Sequence, residues 1–230
     1  MVLVEPLAIL TKTLKDVFDM KSSILEKHTL TQWLSPSYPI GAYNFSQGLE
    51  YAVKESLVSD EKTLKDWLRE NLEAGYFRND AIFVKLAFFS ETEEQLEKLV
   101  ELMNAFSTSK SRLDEQILQG KAFFKVTPNS TDAPYPIALG MAAKNYDLKI
   151  EEVIPLFLQS CLSNVISVAQ RLLPIGQTEA VKILRDLFPK IEEVSQLVLI
   201  SSEADILSSC YLTDSCSIFQ ETIDGKIFKS

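Results

Sequence analysis

The chain has 230 residues, 46% of them hydrophobic and 24% charged, with 23 basic against 32 acidic side chains and a net charge of −9. Such a balance belongs to a globular chain with an ordinary core, not to a disordered or fibrous one. Its acidity excludes general nucleic-acid binding, which requires a basic face. The single histidine, His28, cannot build a histidine-rich metal site. Cys161, Cys210 and Cys216 are an odd set without C-x-x-C spacing and read as reduced thiols.

In chain order, Met1–Leu10 is apolar but interrupted by Glu5, with no basic start or cleavage site, so no signal peptide is expected. Ser22–Leu34 reads as a helix, with Ser23 and Glu26 at capping-box spacing and Leu25, Leu30 and Trp33 on one face. Further helical spacing runs through Ser46–Leu57 and through Asp60–Glu73, whose apolar side is Leu64, Trp67, Leu68 and Leu72. Gly75 is a stop, followed by an apolar segment at Asp80–Phe89 and a helix at Thr92–Phe106. Thr127–Pro136, with its three prolines, is a loop, and Pro136 starts a helix reaching Ala143.

Ile150–Leu173 is the most apolar helix, predicted to be central with one side available for self-association. Its uncharged run, Val153–Gln170, reaches 18 residues but carries Gln159, Ser160, Ser163, Asn164 and Ser167, too polar for a bilayer span. Leu173–Gly176 breaks it, and shorter helices follow at Thr178–Leu187 and Ile191–Leu199. The last 20 residues lose periodicity. The sum is an all-α single-domain bundle of about nine or ten helices over residues 1–230, cytoplasmic. An N-terminal segment 1–21 has no clear place, and a flexible tail is expected from about 208 to 230.

Chemical motifs are sparse. Phosphate-loop, dinucleotide, G-x-S-x-G and H-E-x-x-H patterns are all missing. Glu91, Glu93, Glu94, Glu97 and Glu101 read as a solvated helix face, His28 as a surface or structural histidine, and Cys161 as a small core residue. Cys210 and Cys216, near the tail, are candidates for exposure. The segment Leu34–Glu50 (LSPSYPIGAYNFSQGLE) resists a bland account. Two prolines fix its backbone, Gly41 permits a positive φ, and Tyr43, Ser46, Gln47 and Glu50 offer aromatic and hydrogen-bonding groups. An ordered helix-capping loop and a recognition surface both fit. Other readings are a small helical enzyme using carboxylate and cysteine chemistry, with Glu50 or Glu73 desolvated in a pocket, and a generic helical interaction module.

Ser35, Pro36, Pro39, Ile40, Gly41, Tyr43, Ser46, Gly48, Leu49 and Glu50 closely resemble the signature of the UreF family of urease accessory proteins. Arg171–Gln177 is similar to that family's basic-L-x-P-L-[GS]-Q stretch. Asp214–Ser217, Glu221-Thr222 and Lys226–Ser230 are similar to its D-x-x-S, H-E-T and R-L-F-R-S ending. The chain departs from that pattern at Phe219, Gln220 (usually histidine) and Asp224, and has lysines for two arginines. The resemblance implies an all-α homodimer with no catalytic residue, cofactor or metal ligand of its own. It also implies a scaffold that joins the accessory protein UreD (also called UreH) and recruits the nickel-carrying GTPase UreG to the urease apoprotein. Partner contacts would then come from Tyr43, Ser46, Gln47, Glu50, Arg171 and Gln177, and from Glu221, Lys226, Phe228, Lys229 and Ser230 in a tail that folds on its partner.

Overall fold

Apolar residues spaced by three and four produce helices throughout, and the computed structural model of the chain describes residues 24–207 and 209–229 as all-α, with no strand among them. The capping residue Ser23, the segment 1–21 and Ser230 lie outside the described residues. Helix α1 covers 24–33 and buries Leu30 and Trp33. A turn-rich loop then leads to α2 (Leu49–Lys54), shorter at both ends than the predicted 46–57. Helix α3 (Glu61–Ala74) starts at Asp60, whose carboxylate accepts from the Thr63 amide at 2.8 Å.

Gly75 closes α3 and also opens α4 (Tyr76–Phe89), so α4 begins four residues before the predicted Asp80. Thr92 and Gln95 form a capping box for α5 (Glu93–Phe106). Next comes α6 (Lys110–Val126), which periodicity did not pick out because its buried face is mostly polar apart from Phe123. Arg112, Glu115, Gln116 and Gln119 are buried, whereas Leu118, Phe124 and Val126 are exposed. The 127–134 loop precedes α7 (Tyr135–Asn145), with Pro136 in its first turn as predicted.

Helix α8 (Ile150–Leu172) is central, packing against α2, α3, α4, α9 and α10. Contrary to the expectation that its uncharged run is too polar for a bilayer span, α8 is by length and composition apolar enough to cross a membrane, and half of its most apolar stretch is buried inside the fold. Helices α9 (Gln177–Asp186), α10 (Phe188–Ile200) and α11 (Tyr211–Phe219) complete the bundle. Where a loose tail is expected, residues 209–229 form α11, a 3-10 turn at Gln220–Thr222 and a turn-containing strap lying against α2 and the loop before it. Cys210 and Cys216, expected to be exposed, are buried because α11 closes over them.

Two glycines set the approach to α2. Gly41 has φ 75° and Gly48 φ 85°, values that cost an L-residue about 1–2 kcal/mol. A Cβ at Gly48 would also stand 2.8 Å from the Ser217 backbone nitrogen on α11, whereas at Gly41 the nearest atom is a side-chain amide 3.4 Å away. Gly41→Ala should therefore cost about 1–2 kcal/mol of unfolding free energy. Gly48→Ala should cost clearly more, and urea titrations of the two variants check the order.

Candidate functional site

The loop before α2 is tied at both ends. At its outer end, Gly41 opens a 3-10 turn, Ala42–Asn44, which leaves Tyr43 63% exposed. Phe45 then turns inward and Ser46 is fully buried. Gln47 adopts φ 55°, a left-handed conformation unusual outside glycine. Its side-chain amide points into the fold and donates to Glu115 Oε1 at 2.7 Å.

Beneath the loop lies a polar cluster built from α4 and α6. Arg112 is buried between Asp80, with which it is hydrogen-bonded, and Glu115, 2.7 Å away. Its guanidinium also lies over the Tyr76 ring at 4.9 Å. Gln116 donates to Asp80 Oδ1 at 2.7 Å, and Gln119 donates to Glu115 Oε1 at 2.9 Å. Two carboxylates around one guanidinium leave an excess negative charge, which the three glutamine amides solvate in place of water. Burial pushes Asp80 up to about 6, an effect that Arg112 opposes and Glu115 reinforces. Burial works against the Arg112 charge, but Asp80 and Glu115 prevail and move its pKa upward.

The tail engages the other side of the loop. Glu50, buried on α2, accepts from the backbone amides of Ile227 at 2.7 Å and Phe228 at 3.2 Å, and from the Gln220 side chain at 2.9 Å. Gln220 in turn accepts from the Tyr51 amide at 2.8 Å. One donor and one acceptor are thus used here, which a neutral imidazole also supplies, so glutamine can stand where the resembled pattern has histidine. The Lys229 amide donates to the Asn44 carbonyl at 2.8 Å. Phe228 is 3% exposed, with the Arg171 guanidinium 4.3 Å from its ring centre, and Arg171 also donates to the Tyr43 carbonyl at 3.4 Å.

Of the residues singled out from sequence, Tyr43, Arg171, Phe228 and Lys229 meet at one place, with the exposed Lys226 beside them on the strap. Ser46 and Glu50 are buried, so Glu50 holds the tail and does not present an outward carboxylate. Gln177 is exposed at the start of α9 and accepts from Gln170 at 3.0 Å. Glu221 lies apart from that cluster, accepting from the Ser111 amide at 2.9 Å in the first turn of α6, where a carboxylate complements the helix dipole. Sequence reasoning missed Asp80, Arg112, Glu115, Gln116 and Gln119. Their one available signal was Ser109, a serine N-cap whose Oγ accepts from the Arg112 amide at 3.1 Å.

Acid–base chemistry finds little footing at the two carboxylates singled out. Glu50 faces N–H donors, and Glu73 is exposed and paired with Lys190 at 2.8 Å. Burial pushes the thiols of Cys210 and Cys216 up to about 11. Among the described residues no group of three or more His, Cys, Asp or Glu side chains could hold a metal ion, and His28 is exposed on α1.

The molecule is thus an all-α bundle with a buried charged cluster and an exposed edge carrying Tyr43, Arg171 and Lys226. A family model described as UreF matches residues 58–188. The urease accessory protein UreF of Ruegeria sp. (strain TM1040) is 38% identical over 206 residues, covering 87% of this chain and 96% of that one. That of Ruegeria pomeroyi is 32% identical over 207 residues, covering 88% and 95%. UreF of Cereibacter sphaeroides (strain KD131 / KCTC 12085) is 37% identical over 210 residues, covering 88% and 97%. The chain belongs to the UreF family of urease accessory proteins.

The raised Asp80 pKa has a defined sign in stability. The unfolded carboxyl titrates near 3.8 and the folded one near 6, so its contribution is fully present below about pH 4 and is lost as pH rises through 6. Denaturant titrations at pH 4 to 7 should show wild type losing stability relative to Asp80→Asn as pH increases. A difference independent of pH would contradict the assignment.

Proposed function

We propose that this chain is a non-enzymatic scaffold in urease maturation, acting in the cytoplasm. It would join UreD through its tail and bring the nickel-carrying GTPase UreG to the urease apoprotein. The observation that carries this reading is the joining of the exposed Tyr43 and Arg171 to the strap 226–229, which buries Phe228 and leaves Lys226 and Lys229 outside, on a chain of net charge −9. Aromatic and arginine side chains are the groups that dominate protein interfaces. Tyr43 and Arg171 supply the outward contacts, Gln177 extends them along α9, and Glu50 keeps the strap in place. Nickel, as cargo, and GTP would be handled by the partners.

Self-association fits a different face. Leu156, Gln159, Ser160 and Ser163 of α8 border a groove with Leu30, Leu34 and Pro36, and Ile24 and Leu25 of α1 are exposed. A second copy packing there would make the homodimer expected from the family resemblance. In light-scattering chromatography the wild type should run at twice 25.9 kDa and Leu156→Glu at 25.9 kDa. A Leu156→Glu variant that stays dimeric would move the contact elsewhere.

For recruitment, the test is a pull-down of purified UreG by the complex of this chain with UreD. The Tyr43→Ala, Arg171→Ala double variant should recruit at least about tenfold less UreG, since each such interface anchor is typically worth ~2 kcal/mol. Recruitment at wild-type level would remove the assignment. Deletion of Lys226–Ser230 should weaken UreD binding by a comparable factor, and unchanged affinity would detach the tail from that role.

A further inference from the structure

We infer that Glu115, held by Arg112, is a positioning residue that sets the conformation of the 41–48 loop through the side chain of Gln47. This deepens the reading of that loop as a recruitment surface and rests on it. Besides the burial of Phe45 and Ser46, hydrogen bonds from elsewhere in the fold hold the loop. Two are at its surface: the Arg171 bond to the Tyr43 carbonyl and the Lys229 amide bond to the Asn44 carbonyl. The third reaches inward, from Gln47 Nε2 to Glu115 Oε1.

The inward bond has a reason in charge. Glu115 is fully buried, and Arg112, its cationic neighbour at 2.7 Å, is shared with Asp80. The remaining charge on Glu115 needs N–H donors, and α6 itself supplies one from Gln119. The second comes from the loop. To deliver it Gln47 takes φ 55°, and Gly48 follows at φ 85° against the Ser217 backbone. A left-handed non-glycine residue persists only where surrounding contacts hold it. The carboxylate on α6 thus acts on the far end of the loop, four residues after Tyr43, while Arg171 and Lys229 hold its near end.

A residue of purely structural value would lower global stability without singling out the loop. Hydrogen–deuterium exchange of the full-length chain, read on peptides spanning 41–48, separates the cases and needs no partner. Gln47→Ala should exchange about tenfold faster there, with exchange in α4 and α8 unchanged. Gln47→Glu, which sets a second carboxylate against Glu115, should be at least as fast. Adding Glu115→Gln to Gln47→Glu restores an amide–carboxylate bond in the reverse sense, leaves Asp80 as the partner of Arg112, and should return exchange toward wild type.

Wild-type exchange in Gln47→Ala, or no rescue in the double variant, overturns the inference. The same variants then go into the UreG pull-down beside Tyr43→Ala. Recruitment that falls and recovers with loop order supports the positioning role. Recruitment that ignores loop order while Tyr43→Ala abolishes it overturns the positioning role alone. If Tyr43→Ala has no effect, the surface assignment fails, and the exchange result still decides whether Glu115 sets the loop.

Discussion

A guanidinium buried between two carboxylates is the constraint around which the rest is arranged. Arg112 ties α6 to α4 through Asp80, and through Glu115 it draws the loop before α2 inward. Breaking a buried pair by removing one partner typically costs about 3–5 kcal/mol, because the other charge is left uncompensated. The cluster therefore stabilises one arrangement of α4, α6 and the loop more than it adds to net stability. The apolar core around α4 and α8 supplies cohesion but is directionless. The ion cluster supplies register.

The sequence disclosed the elements whose inner face is apolar. The spacing of Leu64, Trp67, Leu68 and Leu72 on α3 and the apolar length of α8 were readable because burial there means hydrophobicity. Helix α6 departs from that rule, since beside Phe123 its inward residues include Arg112, Glu115, Gln116 and Gln119, while Leu118 and Phe124 face solvent. A period of 3.6 in polarity is no help when the sign of the face is reversed. Candidate contacts fared unevenly for a related reason. Tyr43 and Arg171 could be picked out by type and motif, but the inward turn of Ser46 and Glu50 depends on where α11 and the strap lie, which local sequence does not encode.

Polar groups do two jobs in this chain, separated by depth. Glu50, Gln220 and the Arg112 cluster are consumed by the fold, each satisfied by partners far away in sequence. Tyr43, Lys226 and the outer side of Arg171 remain outside, along the edge where the loop and strap meet. Loop and strap share bonds through Glu50, Asn44 and Arg171, so neither can shift far without disturbing the other. A surface made from two distant stretches of chain that hold each other has less to order on binding than two free segments would.

The burial of Cys210 and Cys216 also gives α11 a chemical signature. Cys210 donates to the Glu70 carbonyl at 3.2 Å, Cys216 is packed inside, and burial raises both thiols above their ordinary range. Only thiolate reacts at a useful rate. With α11 seated, burial and the raised pKa both slow alkylation and oxidation of these sulfurs. Reagent access to these two thiols therefore reports whether the C-terminal helix is seated.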